Sequence, residues 1–344
     1  MGIQGLTTLI KKYAPNSITK VSLESFRGRT IAIDTSILLY KFRYSNNSPQ
    51  SHIYGFLRRC LLYGKYGITP VFVIDGKPPP EKDHILKKRK QKKEKLFIRI
   101  KELQEALTPG NRREILSRIK KLKKQYVDVT RQHHDDIYCL LRLIGVRVIM
   151  STGEAEDICA QLQKGGLVDY IYSEDTDLFP LGGLKILREE EMKTKTFSLV
   201  CLNTILKQLK LEFSQFIDLC ILCGCDYCPS IPRLGSVRAY ELLIKLGSLE
   251  EVLKHLNITQ MEPYIRARKI YTSQEEYKHP TIESKFKLDE RSLRFYLGQK
   301  GIKPAFTIRF IREFKKYMGF VEECRSHAKL TPGVFLSNLE LLDR

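Results

Sequence analysis

No stretch of this chain is both apolar enough and long enough to cross a bilayer, which excludes a helical membrane span. The residues after Met1 lack a secretory apolar segment, because Lys11 and Lys12 interrupt it. Met1-Gly2 is not a myristoylation start, since Leu6 stands where Ser or Thr is required. Acids are scarce: 39 Asp and Glu stand against 59 Lys and Arg, a formal net charge of +20. The 9 cysteines are an odd number with no signal peptide, which argues against a disulfide framework and for reduced thiols inside a cell. The expected compartment is intracellular, nuclear if the source is eukaryotic and otherwise cytoplasmic. There is no internal repeat.

What is present is globular. The chain has 344 residues, 42% hydrophobic and 28% charged, enough for a well-buried core. A pI near 9.5 implies a polyanionic partner, nucleic acid first. Charge kept only for solubility is the weaker reading, because the basic residues cluster.

Apolar periodicity predicts strands at Thr30–Ile33, Thr69–Ile74, Arg147–Met150 and Asp169–Tyr172, and a hairpin pair at Leu184–Leu187 and Phe197–Leu202. Helices are expected over Thr35–Tyr44, His52–Tyr66, Asp135–Leu143, Ala155–Lys164, 213–223, 235–246, 248–256, 290–298 and 304–317. Strands alternating with helices specify an α/β fold with a central, mostly parallel twisted sheet flanked by helices. Residues 81–132 interrupt this pattern. They are rich in Lys, Arg, Glu and Gln, split by Thr108-Pro109-Gly110 into helical stretches 84–107 and 111–126, and look too polar to carry a core of their own. The resulting organisation is one domain: 1–80, an inserted basic hairpin 81–132, a second α/β region 133–258, and a helical C-terminal region 259–344.

Seven carboxylates stand out. Asp34, Asp75, Glu154 and Glu156, Asp175 and Asp177, and Asp226 each sit at or just after the end of an apolar run. Ligands of open α/β sheets bind outside the carboxyl ends of the strands, so these acids should gather on one rim. Residues i and i+2 of an extended segment point the same way, so Glu154/Glu156 and Asp175/Asp177 can each face one site. Hard oxygen donors select Mg2+, with Mn2+ as a substitute, and two such ions about 4 Å apart clamp the oxygens of a phosphodiester. Acids after strands are also common caps and turn formers, but five segments repeating the feature weigh against that reading.

Leu86 to Lys95 is intensely cationic and includes Lys87, Lys88 and Arg89. Rooted just past Asp75, it would hang phosphate-binding side chains over the acidic rim. Cys220, Cys223, Cys225 and Cys228 have metal-ligand spacing, but no further Cys pair or histidine lies nearby, and Cys220 and Cys223 read as small core residues of a helix. His133-His134-Asp135-Asp136 opens an apolar helix, where a structural role is expected.

Met1 to Leu6, Ala32 to Ser36, Phe72 to Pro79, Gly153 to Glu156, Ser173 to Asp177 and Cys223 to Cys228 together resemble the structure-specific 5′ nucleases, and within them the flap endonucleases, in order and spacing to about residue 255. The resemblance implies a PIN-like nuclease core, a helical arch over 81–132 and a helix–two-turn–helix at about 213–246. The family's metal acids fall on the same seven positions. Its arch-base Lys and Arg, seven and fourteen residues past the second metal aspartate, fall on Lys82 and Arg89, and with Glu154 these are the candidate catalytic residues. A first-helix aromatic that stacks on a base falls on Tyr40, and the N-terminal Gly2 lies near the substrate. Implied partners are branched or flapped duplex DNA, met by a monomer.

Three departures follow. The helix–two-turn–helix loop reads Ile231-Pro232-Arg233-Leu234-Gly235, with Arg233 at the place of a first glycine. That shifts duplex contacts to Arg233, Gly235 and Arg238 and leaves K+ open as a cofactor there. The sequence to Arg344 carries no Gln-x-x-hydrophobic-x-x-aromatic-aromatic motif for a sliding clamp, and no lysine-rich tail. The competing readings are a 5′→3′ exonuclease of the same family, a non-catalytic DNA-binding scaffold, which should have lost some of the acids, and a haloacid-dehalogenase-like phosphatase, which wants its Asp-x-Asp on the first strand.

Overall fold

The computed structural model describes residues 2–45, 48–108, 110–125, 129–191, 193–273 and 287–330. Its first elements are helix α1 (Leu6–Tyr13) and strand β1 (Ile18–Ser22), neither expected from the sequence. β1 is a short, half-buried edge strand without a strong apolar run. Then come β2 (Thr30–Asp34), α2 (Thr35–Ser45), α3 (Ser51–Lys65) and β3 (Thr69–Ile74). Every residue of β2 and β3 is buried, as strands covered on both faces must be.

Pro78 to Pro80 ends regular structure, and the chain leaves the sheet as α4 (Asp83–Glu105) and α5 (Arg112–Gln125). The expected polarity of this hairpin needs correction: Ile100, Ile115 and Ile119 are buried against each other, with Leu103 and Leu122 packed on them. They are few and widely spaced among charges, so composition hides them, but they share the inner faces of the helix pair. Residue 126 of the expected second helix lies outside the described residues.

The α/β pattern resumes with α6 (Arg131–Ile144), β4 (Arg147–Met150), α7 (Ala155–Lys164), β5 (Tyr170–Tyr172), and the hairpin β6 (Lys185–Glu191) and β7 (Thr196–Cys201). His133 closes a capping box with Thr130 at the start of α6, the structural role expected of it. Helices α8 (Leu202–Leu209), α9 (Phe213–Cys223), α10 (Ser236–Leu246), α11 (Leu249–His255), α12 (Glu262–Thr272), α13 (Glu290–Gln299) and α14 (Pro304–Leu330) complete the described chain. Helices α8 and α12 were not expected, and α14 runs well past residue 317. Residues 274–286 and 331–344, parts of the expected C-terminal region, lie outside the described residues, as does the stretch where a clamp-docking motif was sought.

The sheet order is β1-β7-β6-β5-β2-β3-β4. Strands β6, β5, β2, β3 and β4 run parallel, while β7 and β1 pair antiparallel at one side. Alternate strand residues feed two cores. Ala32, Val71, Val73, Ile149 and Ile171 pack with α1 and α7–α12, and Ile31, Ile33, Phe72, Tyr170 and Tyr172 pack with α2, α3, α6, α13 and α14. The consequence for the site is positional. β5, β2, β3 and β4 are parallel neighbours, so the segments leaving their carboxyl ends emerge side by side on one rim.

Candidate active site

Four adjacent strands deliver the acids. Asp34 is the last residue of β2, Asp75 follows β3, Glu154 and Glu156 follow β4, and Asp175 and Asp177 follow β5. Asp226 comes from the turn after α9, a helix and not a strand, so the strand-end rule does not account for it. Nor are Glu154 and Glu156 in an extended segment: Glu154 is the N-cap of α7 and Glu156 lies in its first turn.

Local hydrogen bonds fix the carboxylates. Asp75 accepts from the Ser36 hydroxyl and from the Ala155 N–H at 2.8 Å, so it caps α7 from the neighbouring strand. Asp34 accepts from Ser36 N–H at 3.1 Å and from Ser173 Oγ at 3.1 Å. Asp177 N–H donates to Asp175 Oδ1 at 3.1 Å, an Asx turn that presents both side chains. Gly76 N–H donates to Gly153 O at 2.7 Å, and a Cβ at Gly76 would run into Ser151 O. This close approach ties the β3 and β4 exits together and hence Asp75 to Glu154. At the N-terminus, Gly2 has φ +79°, and a side chain there would strike Asp175 Oδ1, Thr176 Oγ1 and the Asp177 backbone. Gly2 therefore lies against the acid cluster.

Burial and mutual repulsion dominate the electrostatics. Burial, then the charge of Asp75, pushes Asp34 well above the usual carboxylate range. Glu156 rises through burial and Asp34, and Asp177 through burial and Asp175. Asp157, beside them in α7, is pushed up to about 6 by burial and by Glu154. One cation sits among these acids. Lys82 is buried, with Nζ 2.7 Å from Glu154 Oε2 and 3.8 Å from Asp177 Oδ2. Burial opposes its charge, but Asp177, Glu154 and Glu156 outweigh that and hold it firmly protonated. Asp177 Oδ2 is itself buried without a hydrogen-bond partner.

Two residues that sequence reasoning missed complete this shell. The Tyr227 hydroxyl donates to Glu154 Oε2 at 2.9 Å, and its ring lies 4.9 Å from the Lys82 ammonium. The Tyr271 hydroxyl donates to Asp177 Oδ1 at 3.1 Å. Tyr227 sits inside the Cys225-Asp226-Tyr227 stretch and could have been flagged there, whereas Tyr271, on α12, carries no signal in the sequence. Among the described residues no three His, Cys, Asp or Glu side chains close on one point at ligating spacing. Asp177, Glu154 and Glu156 instead share the charge of Lys82.

The arch covers this rim. Arg89, on α4, pairs with Asp226 at 3.0 Å, while Lys87 and Lys88 are exposed beside it. Tyr40 is 41% exposed on α2. Arg233 and Arg238 are exposed at the α9–α10 connection, Gly235 is the N-cap of α10, and Ser236 Oγ donates to Gly5 O at 3.1 Å. That last bond joins the connection to the N-terminus. Arg233 has φ 62°, so it adopts the left-handed conformation a glycine would take. Cys220 and Cys223 are buried in the core, as read from the sequence.

This geometry coincides with known sequence patterns. Residues 1–96, which reach into the first arch helix, match the XPG N-terminal domain, and residues 145–226 match the XPG I-region. Flap endonuclease 1 of Theileria parva is 39% identical over 267 residues, covering 74% of this chain and 53% of its own length. Flap endonuclease 1-A of Sorghum bicolor is 38% identical over 291 residues, covering 79% of this chain and 75% of its own. This chain thus spans about half the length of the Theileria relative. Among solved structures, the catalytic core of Rad2 in complex with DNA substrate superposes with a TM-score of 0.70 at 24% identity, over 91% of this chain and 100% of that one. Flap endonuclease-1 from Methanococcus jannaschii superposes with a TM-score of 0.62 at 24% identity, over 88% and 97%. Both structures share the fold. With the acids of four parallel strands on one rim, two matched family regions and relatives above one-third identity, the chain belongs to the structure-specific 5′ nucleases, the family of XPG and flap endonuclease 1.

Proposed function

We propose that this chain is a divalent-metal-dependent flap endonuclease of the cell interior that hydrolyses DNA phosphodiester bonds near single-strand/double-strand junctions. The observation that carries the reading is the partly buried acid cluster on the sheet rim, with Lys82 paired to Glu154 and the arch residue Arg89 paired to Asp226. The donors fit a hard divalent ion: they are carboxylates, three of them pushed up by burial and then by their neighbours, and Asp177 Oδ2 has no hydrogen-bond donor. Asp34, Asp75, Glu154, Glu156, Asp175, Asp177 and Asp226 would hold Mg2+, which when bound supplies Lewis-acid stabilisation of phosphoryl oxygens.

The chain's own groups do the rest. Lys82 is a fixed cation at the rim and neutralises developing phosphate charge. Arg89 presents a planar fork that can exchange Asp226 for a phosphate. Tyr227 and Tyr271 hold Glu154 and Asp177 in place. Lys87 and Lys88 attract the strand, Tyr40 offers a ring for base stacking, and Gly2 packs the N-terminus against the site. Duplex phosphates away from the junction meet Arg233, Arg238 and the Gly235 backbone at the start of α10.

A cleavage assay with Mg2+ on flap, gap, nick and bubble DNA tests the reading. Cleavage at the flap junction is expected, and release of single nucleotides from nicked DNA would instead assign a 5′→3′ exonuclease. Asp175→Ala or Asp177→Ala should abolish cleavage while DNA binding stays measurable. Turnover like that of the unaltered protein in either variant would sink the metal assignment.

A further inference from the structure

We infer that Cys225 and Cys228 form a dithiol that peroxide converts to a disulfide, switching off the adjacent site. The two residues stand at the corners of the turn Cys225-Asp226-Tyr227-Cys228, and their sulfurs are 3.5 Å apart. A disulfide needs about 2.0 Å, a small closure for two side chains on one turn. Gly224, immediately before it, has φ 103°, a backbone conformation that glycine adopts without Cβ strain.

Access comes from the open side. Both cysteines line a cleft of about 550 Å³ between the base of the arch, Gln4 and Arg266. Both are nearly buried, which admits a small oxidant and disfavours a bulky one. Hydrogen peroxide takes two electrons from one thiol, leaving a sulfenic acid and a water. The second thiol then displaces the sulfenic hydroxyl as water and forms the S–S bond.

The consequence lies between the two sulfurs. Asp226 is the ion-pair partner of Arg89 on the arch, and Tyr227 holds Glu154 while its ring faces Lys82. Closing the corners pulls both central side chains. Oxidation therefore releases Arg89 and misplaces Glu154 together. A displacement near 1 Å at a reacting centre costs about 10²-fold in rate. The disulfide stands on geometry alone, whereas the loss of rate rests on the nuclease reading above.

The test uses the full chain in chelator, treated with stepwise hydrogen peroxide. Free thiols are then alkylated and the peptides mapped by mass. The expected result is a Cys225–Cys228 link with Cys220 and Cys223 alkylated, while exposed Cys139 reports unspecific oxidation. Amide exchange over 83–105 should speed up, and flap cleavage after Mg2+ is restored should fall about 10²-fold and recover with dithiothreitol. Cys225→Ser, or Cys228→Ser if the first folds poorly, should keep the reduced rate and lose the sensitivity. Both thiols remaining alkylatable, a link elsewhere, stoichiometric bound zinc, or a mapped link that leaves both amide exchange and rate unchanged would overturn the proposal. If the reduced protein cleaves no DNA, the nuclease reading fails, and the mapping and exchange still decide the dithiol.

Discussion

Without the Lys82 ammonium, Glu154 and Asp177 would share a buried rim with other acids and no counter-charge. Removing one partner of a buried ion pair costs about 3 kcal/mol or more. Lys82→Met should therefore lower the unfolding free energy in chelator at pH 8 by that amount, read as a lower denaturant midpoint, and Mg2+ should restore part of it by neutralising the same acids. The variant should also cleave at least about 10²-fold more slowly at saturating substrate. A midpoint in chelator equal to that of the unaltered chain would mean Lys82 is no structural counter-ion. At this scale the acids were legible because each follows a local apolar run. The residues that hold them were not: Tyr271 reaches Asp177 from 94 positions along the chain.

The arch is an element with a small core of its own. Ile115→Ala opens the contact among Ile100, Ile115 and Ile119 and should cost the arch about 2 kcal/mol. Hydrogen exchange should accelerate over 83–105 and 112–125 and stay unchanged in the sheet, because little else packs on these side chains. The connection before α10 behaves differently. Arg233 holds a left-handed backbone that a glycine adopts without Cβ strain. Arg233→Gly should raise the melting midpoint, a stabilisation of about 1 kcal/mol, and lower the salt slope of duplex binding by about 1. An unchanged salt slope would show that Arg233 does not touch phosphate. The substitution was visible in the sequence, but the backbone conformation that makes it costly appears only in the fold.

Across the whole molecule, buried His52 ties α3 to α6 and α13. Its Nε2 lies 3.3 Å from Asp136 Oδ2, and Lys300 reaches Asp136 Oδ1 at 2.7 Å. Burial pulls His52 from its ordinary 6.5 down to about 4. Burial alone would raise Asp136, but hydrogen bonds from Lys300, Gln132 and His52 outweigh it and hold Asp136 below the usual carboxylate range. A base with a depressed pKa contributes stability that is present above its unfolded value and lost on acidification. The thermal midpoint should thus fall between pH 6.5 and about 4, reflecting a loss of at most about 3 kcal/mol of stability from His52. His52→Gln should flatten that window. An unchanged profile would place the acid sensitivity elsewhere.

The sequence by itself determined the strand ends, the seven acids, the basic insertion and the family. Each of these is a local pattern: an apolar run closed by a carboxylate, a charge block, a spacing. Only the tertiary structure decided that β5, β2, β3 and β4 are parallel neighbours, so that separate acids meet on one rim. It also decided that α7 presents Glu154 and Glu156 from a helix start, that Lys82 is buried among them, and that Cys225 and Cys228 meet across the turn carrying Asp226 and Tyr227. These depend on strand order, burial and long-range contact. A one-dimensional pattern contains none of the three, because repulsion, desolvation and sulfur contact act through space and not along the chain.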